Sequence, residues 1–269
     1  MLVTVVTPTL NAVAYLKQAI ESVRVQDSPN VTVEHVIVDG GSTDGTVELA
    51  ESYGLRVITG KDKGIFDAIN KGSFQSSGEL LGFLGADDVM LEGALAEVVD
   101  AYTRSGRQWV CGGIRLIDGL DRNLGEIAAL PSWVTASMHA SMGWGTIAHM
   151  STYVSRDLYT LLNGFDISFP TASDYDFFCR ARAKAPYARI GHALACFRQT
   201  GENYSVKHLD TAEPEFQRVR DGFAPSSPVV RRFYRSFSLW RYARNPGWAS
   251  RRFAAQGRFP FRLMYGRAS

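Results

Sequence analysis

Cysteine is scarce in this chain: three in 269 residues, at Cys111, Cys179 and Cys196, without metal-ligand spacing. An odd, scattered set excludes a disulfide framework and a cysteine zinc site, and reads as reduced thiols in a cytosolic protein. Long apolar runs are missing too, since none approaches the roughly 20 residues a spanning helix needs. The N-terminus has no charged segment followed by an apolar one, so no signal peptide is expected. Two nucleotide signatures are absent. There is no G-x-G-x-x-G, and no glycine-rich loop ending in Gly-Lys-Ser or Gly-Lys-Thr, which removes dinucleotide and P-loop enzymes. Acid is absent from 222–269, where arginines recur. Repeats and low-complexity linkers are also missing. The length therefore suits one large domain (1–221) with a basic appendage (222–269).

What is present is an alternation. Apolar, β-branched runs at 2–7, 33–38, 55–59 and 80–87 predict strands. Between them, helices are expected at 12–26 (with Asn11 as N-cap), 46–53 and 65–72. Strand, helix, strand, helix is the order of an α/β protein with a mostly parallel central sheet flanked by helices. The second half is less regular. It reads as a helix at 91–105, a strand at 109–117, a turn at 118–123, a helix at 156–162, a helix from 173 to about 184 and a strand at 188–197. The Met- and Trp-rich stretch 131–144 is expected near a crevice rather than in the core.

Each of the first four strands runs into a polar or glycine-rich loop. In open α/β sheets, ligands bind beyond the carboxyl ends of strands. Thr9, Asp39, Lys63, Asp87 and Asp88 should therefore meet in one crevice. Asp87 and Asp88 end an apolar run, where two carboxylates are costly unless a cation joins them. A hard divalent ion would suit them, and the alternative is a cap for the helix near 91. Asp39-Gly40-Gly41-Ser42-Thr43-Asp44-Gly45 could accept hydrogen bonds from a base or ribose, with Gly41 allowing close approach, or could be a capped turn. Lys63 precedes a helix carrying Asp67 and Asn70 on one face. It suits a phosphate or a solvated surface. Asp174 and Asp176 begin a helix as a general base or as caps, and His149 is a buried imidazole or a ligand. From 231 to 267, arginines interleave with Phe233, Tyr234, Phe237, Trp240, Tyr242, Trp248, Phe253, Phe259 and Phe261. That pattern fits an anionic membrane surface, with nucleic acid or a packed helix as alternatives.

Several of these pieces, in order, carry a resemblance. They are Thr7-Pro8-Thr9-Leu10-Asn11, Val38-Asp39-Gly40-Gly41-Ser42-Thr43-Asp44-Gly45, Asp62-Lys63-Gly64-Ile65-Phe66-Asp67-Ala68-Ile69-Asn70-Lys71-Gly72 and Gly82-Phe83-Leu84-Gly85-Ala86-Asp87-Asp88. His149, Gly164-Phe165-Asp166 and Ser173-Asp174-Tyr175-Asp176-Phe177 follow. Over about residues 2 to 200 the chain resembles the family 2 glycosyltransferases of GT-A fold, in the bacterial branch that builds polysaccharides and glycolipids.

The resemblance implies a nucleotide-sugar donor, a glycan or lipid-linked acceptor, and Mg2+ or Mn2+. It implies a donor half over about 1–117 and an acceptor half over about 118–221. Thr7, Pro8, Thr9, Asn11, Asp39 and Gly41 would then form the nucleotide pocket, with Asp39 on the base. Lys63, Asp67 and Asn70 would line the nucleotide and donor sugar, with Asp87 beside them. Asp88 would ligate the metal with His149 near the diphosphate, and Asp174 would be the base. Many relatives carry Glu where Ser173 stands, so Asp176 stays a second candidate base. The expected enzyme is an inverting, metal-dependent transferase, cytoplasmic and peripheral on the inner face of the membrane, with no nucleic-acid partner. A catalytically silent binding subunit is the alternative. A sugar-phosphate nucleotidyltransferase is disfavoured, because Thr7-Pro8-Thr9 stands where its glycine-rich basic loop should be.

Overall fold

The computed structural model describes residues 1–143, 145–200 and 212–243, the side chains of 238–243 excepted. Trp144 and most of the expected basic tail, with Trp248, Phe253, Phe259 and Phe261, lie outside the described residues, as do the side chains of Trp240 and Tyr242. The first half is parallel, as its alternation predicted. β1 (Leu2–Thr9) pairs in parallel with β2 (Thr32–Asp39) and β4 (Leu80–Phe83), and β2 pairs with β3 (Arg56–Thr59). The second half is mixed. It holds β5 (Val89–Met90), β6 (Trp109–Asp118), β7 (Asn123–Ile127), β8 (Thr152–Ser155) and β9 (Ala188–Gln199). Among the described residues these nine strands make one sheet in the order β3-β2-β1-β4-β8-β6-β9-β5, with β7 hydrogen-bonded to β6.

Successive strand residues face opposite sides, so both sides of the sheet need cover. On one side Val3, Val5 and Leu80 pack with Val98 and Val99 of α4 (Ala94–Ser105). On the other, Val6, Leu81 and Phe83 pack with Ile69 of α3 (Ile65–Phe74) and Phe177 of α7 (Ser173–Lys184). The described part of the stretch 131–144 contributes buried side chains to this core. Leu130, Val134 and Met138 are buried there, Met138 within α5 (Ala136–Met142), and Trp133 points outward. The expected turn at 118–123 continues into β7, which forms a hairpin with β6.

α1 (Val13–Arg24) is not capped by Asn11, which adopts φ +50 one residue before the N-cap position. The caps come from the start of α2 (Thr46–Ser52) and the loop before it. Thr46 Oγ1 accepts from the Ala12 amide at 2.8 Å, and Asp44 Oδ2 from Val13 at 3.1 Å. Asn11 instead ties the loops, donating its amide to Ser42 Oγ at 2.7 Å and accepting from Thr43 N at 2.9 Å. Leu16, Ala19, Ile20 and Val23 form the buried stripe of α1. Each large one contributes roughly 1.5–3 kcal/mol against about 1 for a cap, so the stripe decides the helix and the caps decide its entry.

Candidate functional site

The parallel register sets Thr9 opposite Asp39 and Asp39 opposite Thr59, so three strands end together. Asp39 is 1% exposed. Its Oδ1 accepts from the amides of Gly41 (2.9 Å) and Ser42 (2.8 Å), and its Oδ2 accepts from Thr9 Oγ1 (2.8 Å) and Ser42 Oγ (2.5 Å). Burial pushes this carboxyl up, but the bonds from Ser42, Gly41 and Thr9 outweigh it and hold it below its ordinary value. Those four bonds fill a carboxylate's four acceptor positions. Asp39 therefore holds the 40–42 loop in shape. Gly40 lies close to Asp62, since a Cβ there would be 2.8 Å from Asp62 Oδ2 and would push that carboxylate aside.

β4 stops at Phe83 and the chain turns through 84–88, where the Asp88 amide donates to Gly85 O at 3.1 Å. α4 begins only at Ala94, behind the left-handed N-cap Gly93. Neither Asp87 nor Asp88 caps it, which removes the structural alternative for the pair. Asp88 is 2% exposed, and Oδ1 accepts from the Arg198 amide at 3.0 Å. Burial and the neighbouring Asp87 carboxylate push the Asp88 carboxyl up to about 7, against the Arg198 amide and His149, which pull it down. A side chain at Gly85 would collide with this turn, its Cβ 2.7 Å from Asp88 Oδ2.

His149 opens a short 3₁₀ turn, His149–Ser151, between α5 and β8. Its Nδ1 lies 3.8 Å from Asp174 Oδ2 on the first turn of α7. The acid turn, His149 and Asp174 thus form one constellation. Asp176 lies elsewhere, because residues two apart on a helix point about 200° apart. Its Oδ2 accepts from Arg180 Nε at 2.7 Å, and Arg180 continues to the carbonyls of Leu162 and Gly164. Burial raises the Asp176 carboxyl even with Arg180 beside it.

The 63–70 segment divides. Lys63 is exposed at the mouth of its loop. Asp67 accepts from the Lys63 amide and pairs with Lys71 Nζ, each at 2.9 Å. Asn70, expected to line the donor, also braces the 165 loop. Its amide bonds both ways with the Phe165 backbone (2.8 and 2.9 Å) and accepts from Tyr159 OH (2.6 Å).

Sequence reading missed Arg198, which sits 1% exposed at the end of β9. Its signal was a charged residue following an apolar strand, the same sign that marked Asp87 and Asp88.

Among the described residues no three His, Cys, Asp or Glu side chains cage an ion by themselves. Two adjacent carboxylates, one buried and raised by the other, nevertheless fit Mg2+ or Mn2+. Such ions take one or two carboxylates and complete their shell with phosphate oxygens and water.

A family model described as Glycosyl transferase family 2 matches residues 4–149. An uncharacterised glycosyltransferase of Mycobacterium tuberculosis is 30% identical over 207 residues, 74% of this chain and 76% of that one. S. aureus TarS 1–349, solved with UDP-GlcNAc, superposes with TM-score 0.66 at 17% identity over 98% of this chain and 78% of its own. A Pyrobaculum calidifontis mannosyltransferase, solved with GDP-Man and Mn2+, gives 0.58 at 19% over 97% and 77%. At these identities the two structures speak for the fold.

Proposed function

From the premise that the chain belongs to glycosyl transferase family 2 and is a glycosyltransferase of GT-A fold, we propose an inverting, metal-dependent transfer. A sugar moves from a nucleoside diphosphate to a hydroxyl of a glycan, lipid-linked glycan or glycolipid. The supporting observation is the meeting of Asp87, Asp88, His149 and Asp174 beyond the carboxyl ends of the parallel strands. Residues up to about 117 would serve the donor, 118–221 the acceptor, and 222–269 the surface where the acceptor resides.

Thr7, Pro8, Thr9 and Gly41 form the floor for the nucleotide, with Asp39 holding the 40–42 backbone in shape. Lys63 supplies a cation for the diphosphate, and Asp67 fixes the Lys63 backbone. Asp87 and Asp88 would hold Mg2+ or Mn2+, which when bound stabilises negative charge on the departing diphosphate. Asp174 Oδ2 takes the proton of the acceptor hydroxyl, whose oxygen forms the new bond to the anomeric carbon. The sugar–phosphate bond breaks on the opposite face, so the configuration inverts. His149, 3.8 Å from Asp174 Oδ2, would stand beside the diphosphate and its metal.

Calorimetric titration with UDP, GDP, dTDP and CMP, each with and without Mn2+, tests this reading. One diphosphate should bind tightly and only with metal. A folded protein that binds none would instead be a silent binding subunit.

The membrane part of the reading rests on α9 (Pro228–Ala243), which follows α8 (Glu213–Phe223). Phe237 stacks edge-on against Trp133 at 5.9 Å, and Tyr234 packs on the core. Phe233, Val229 and Trp133 remain 60%, 78% and 59% exposed, beside exposed Arg232. Among the described residues no helix is long and apolar enough to cross a membrane. Phe233→Asp in the full chain should weaken binding to vesicles rich in anionic lipid by about tenfold, because it exchanges an interfacial anchor for a repelled charge. Unchanged co-sedimentation would remove the membrane from the proposal.

A further inference from the structure

Arg198 is a buried cation with more partners than its strand requires. Nε donates to the Asp87 carbonyl at 2.7 Å. Nη1 donates to the Asp118 carbonyl at 3.2 Å and pairs with Asp121 Oδ1 at 2.7 Å. Nη2 donates to Gln18 Oε1 at 2.6 Å, and the guanidinium lies over the Tyr15 ring, 4.7 Å from its centre. The same residue's backbone amide holds Asp88 Oδ1. One residue thus joins α1, the acid turn, the tip of the β6–β7 hairpin and the end of β9.

We infer that Arg198 is a positioning residue for the Asp87–Asp88 turn, fixing both carboxylates in the arrangement that receives a divalent cation. The inference rests on the proposed metal role of Asp87 and Asp88. The physical reason is the geometry of guanidinium. Its planar fork of donors can hold a main-chain carbonyl, a side-chain amide and a carboxylate at once, whereas a lysine ammonium is a single point charge. Asp121, 55% exposed on its side chain, supplies the counter-charge that lets the cation sit inside. Arg198 itself is spent on carbonyls, Gln18 and Asp121, so its work is to hold the turn.

The test is Mn2+ binding by the full chain, read by electron paramagnetic resonance in the presence of UDP and of GDP, for wild type, Arg198→Lys, Arg198→Met and Asp88→Asn. Partners that orient metal ligands typically change affinity by 10- to 100-fold. Arg198→Met should therefore weaken Mn2+ by roughly tenfold or more, and Arg198→Lys by nearly as much. Raising Mn2+ should restore turnover in both, giving a metal KM effect with kcat recovered that a purely structural loss would not show. Wild-type Mn2+ affinity in a folded Arg198→Met, alongside a loss in Asp88→Asn, overturns the role of Arg198 alone. Wild-type affinity in Asp88→Asn overturns the metal reading itself. Should Arg198→Met fail to fold, Asp121→Asn and Gln18→Ala carry the test. Together they should weaken Mn2+ several-fold, and an unchanged affinity overturns the proposal.

Discussion

Asp88→Asn should lower turnover about a thousandfold, since a lost Lewis acid costs several kcal/mol of transition-state stabilisation and ~4 kcal/mol is three decades. The substitution keeps shape and the bond from the Arg198 amide, so the fold should survive. Mn2+ affinity with bound nucleotide should fall in parallel. Full activity in this variant would sink the metal assignment. A pH signature accompanies it. With the Asp88 carboxyl pushed up to about 7, a proton competes with the cation, and Mn2+ affinity should fall by about tenfold per unit below that pH. In the metal-free protein the folded state holds this proton more tightly than the unfolded chain. Its contribution to stability is therefore present at acid pH and lost as pH rises towards 7. Melting curves between pH 5 and 8 should show that loss, Mn2+ should reverse it, and Asp88→Asn should abolish it.

Asp174→Asn should reduce transfer by roughly a hundredfold to ten-thousandfold, the range for a lost general base, while donor binding stays unchanged. Asp176→Asn should do the reverse. Its partner Arg180 braces the backbone at 162–164, so loss of the charge should cost about 1–3 kcal/mol of stability and leave transfer within a few-fold. Single-turnover rates and melting temperatures of the two variants separate the roles. A dead but stable Asp176→Asn would make Asp176 the base.

Much of this was legible in the chain. Apolar, β-branched runs and period-3.6 patterning located the strands and helices of the first half, because each is a local signal. Asp39, Asp87 and Asp88 stood out as carboxylates where apolar strands end. What stayed hidden was non-local. The direction of the Asn70 amide depends on Phe165 and Tyr159, roughly ninety residues downstream. Asn123-Leu124-Gly125-Glu126-Ile127 has weak strand chemistry and becomes β7 only by pairing with β6. Asn11 looked like a helix cap, and only the arrival of Asp44 and of Thr46, at the start of α2, displaced it. Helix spacing alone separates Asp174 from Asp176, but which of the two faces His149 depended on residues far away in the chain.

The stitching of residues 11–13 to 42–46 also bears on how this scaffold can be recombined. Two of the first amides at the start of α1 find their acceptors on a different loop, and that loop is held in turn by the side chain and amide of Asn11. A chimera whose imported 40–46 segment lacked the Asp44 carboxylate and the Thr46 hydroxyl would strip the helix of its acceptors. The two segments are one structural part, and an exchange between scaffolds has to carry both together.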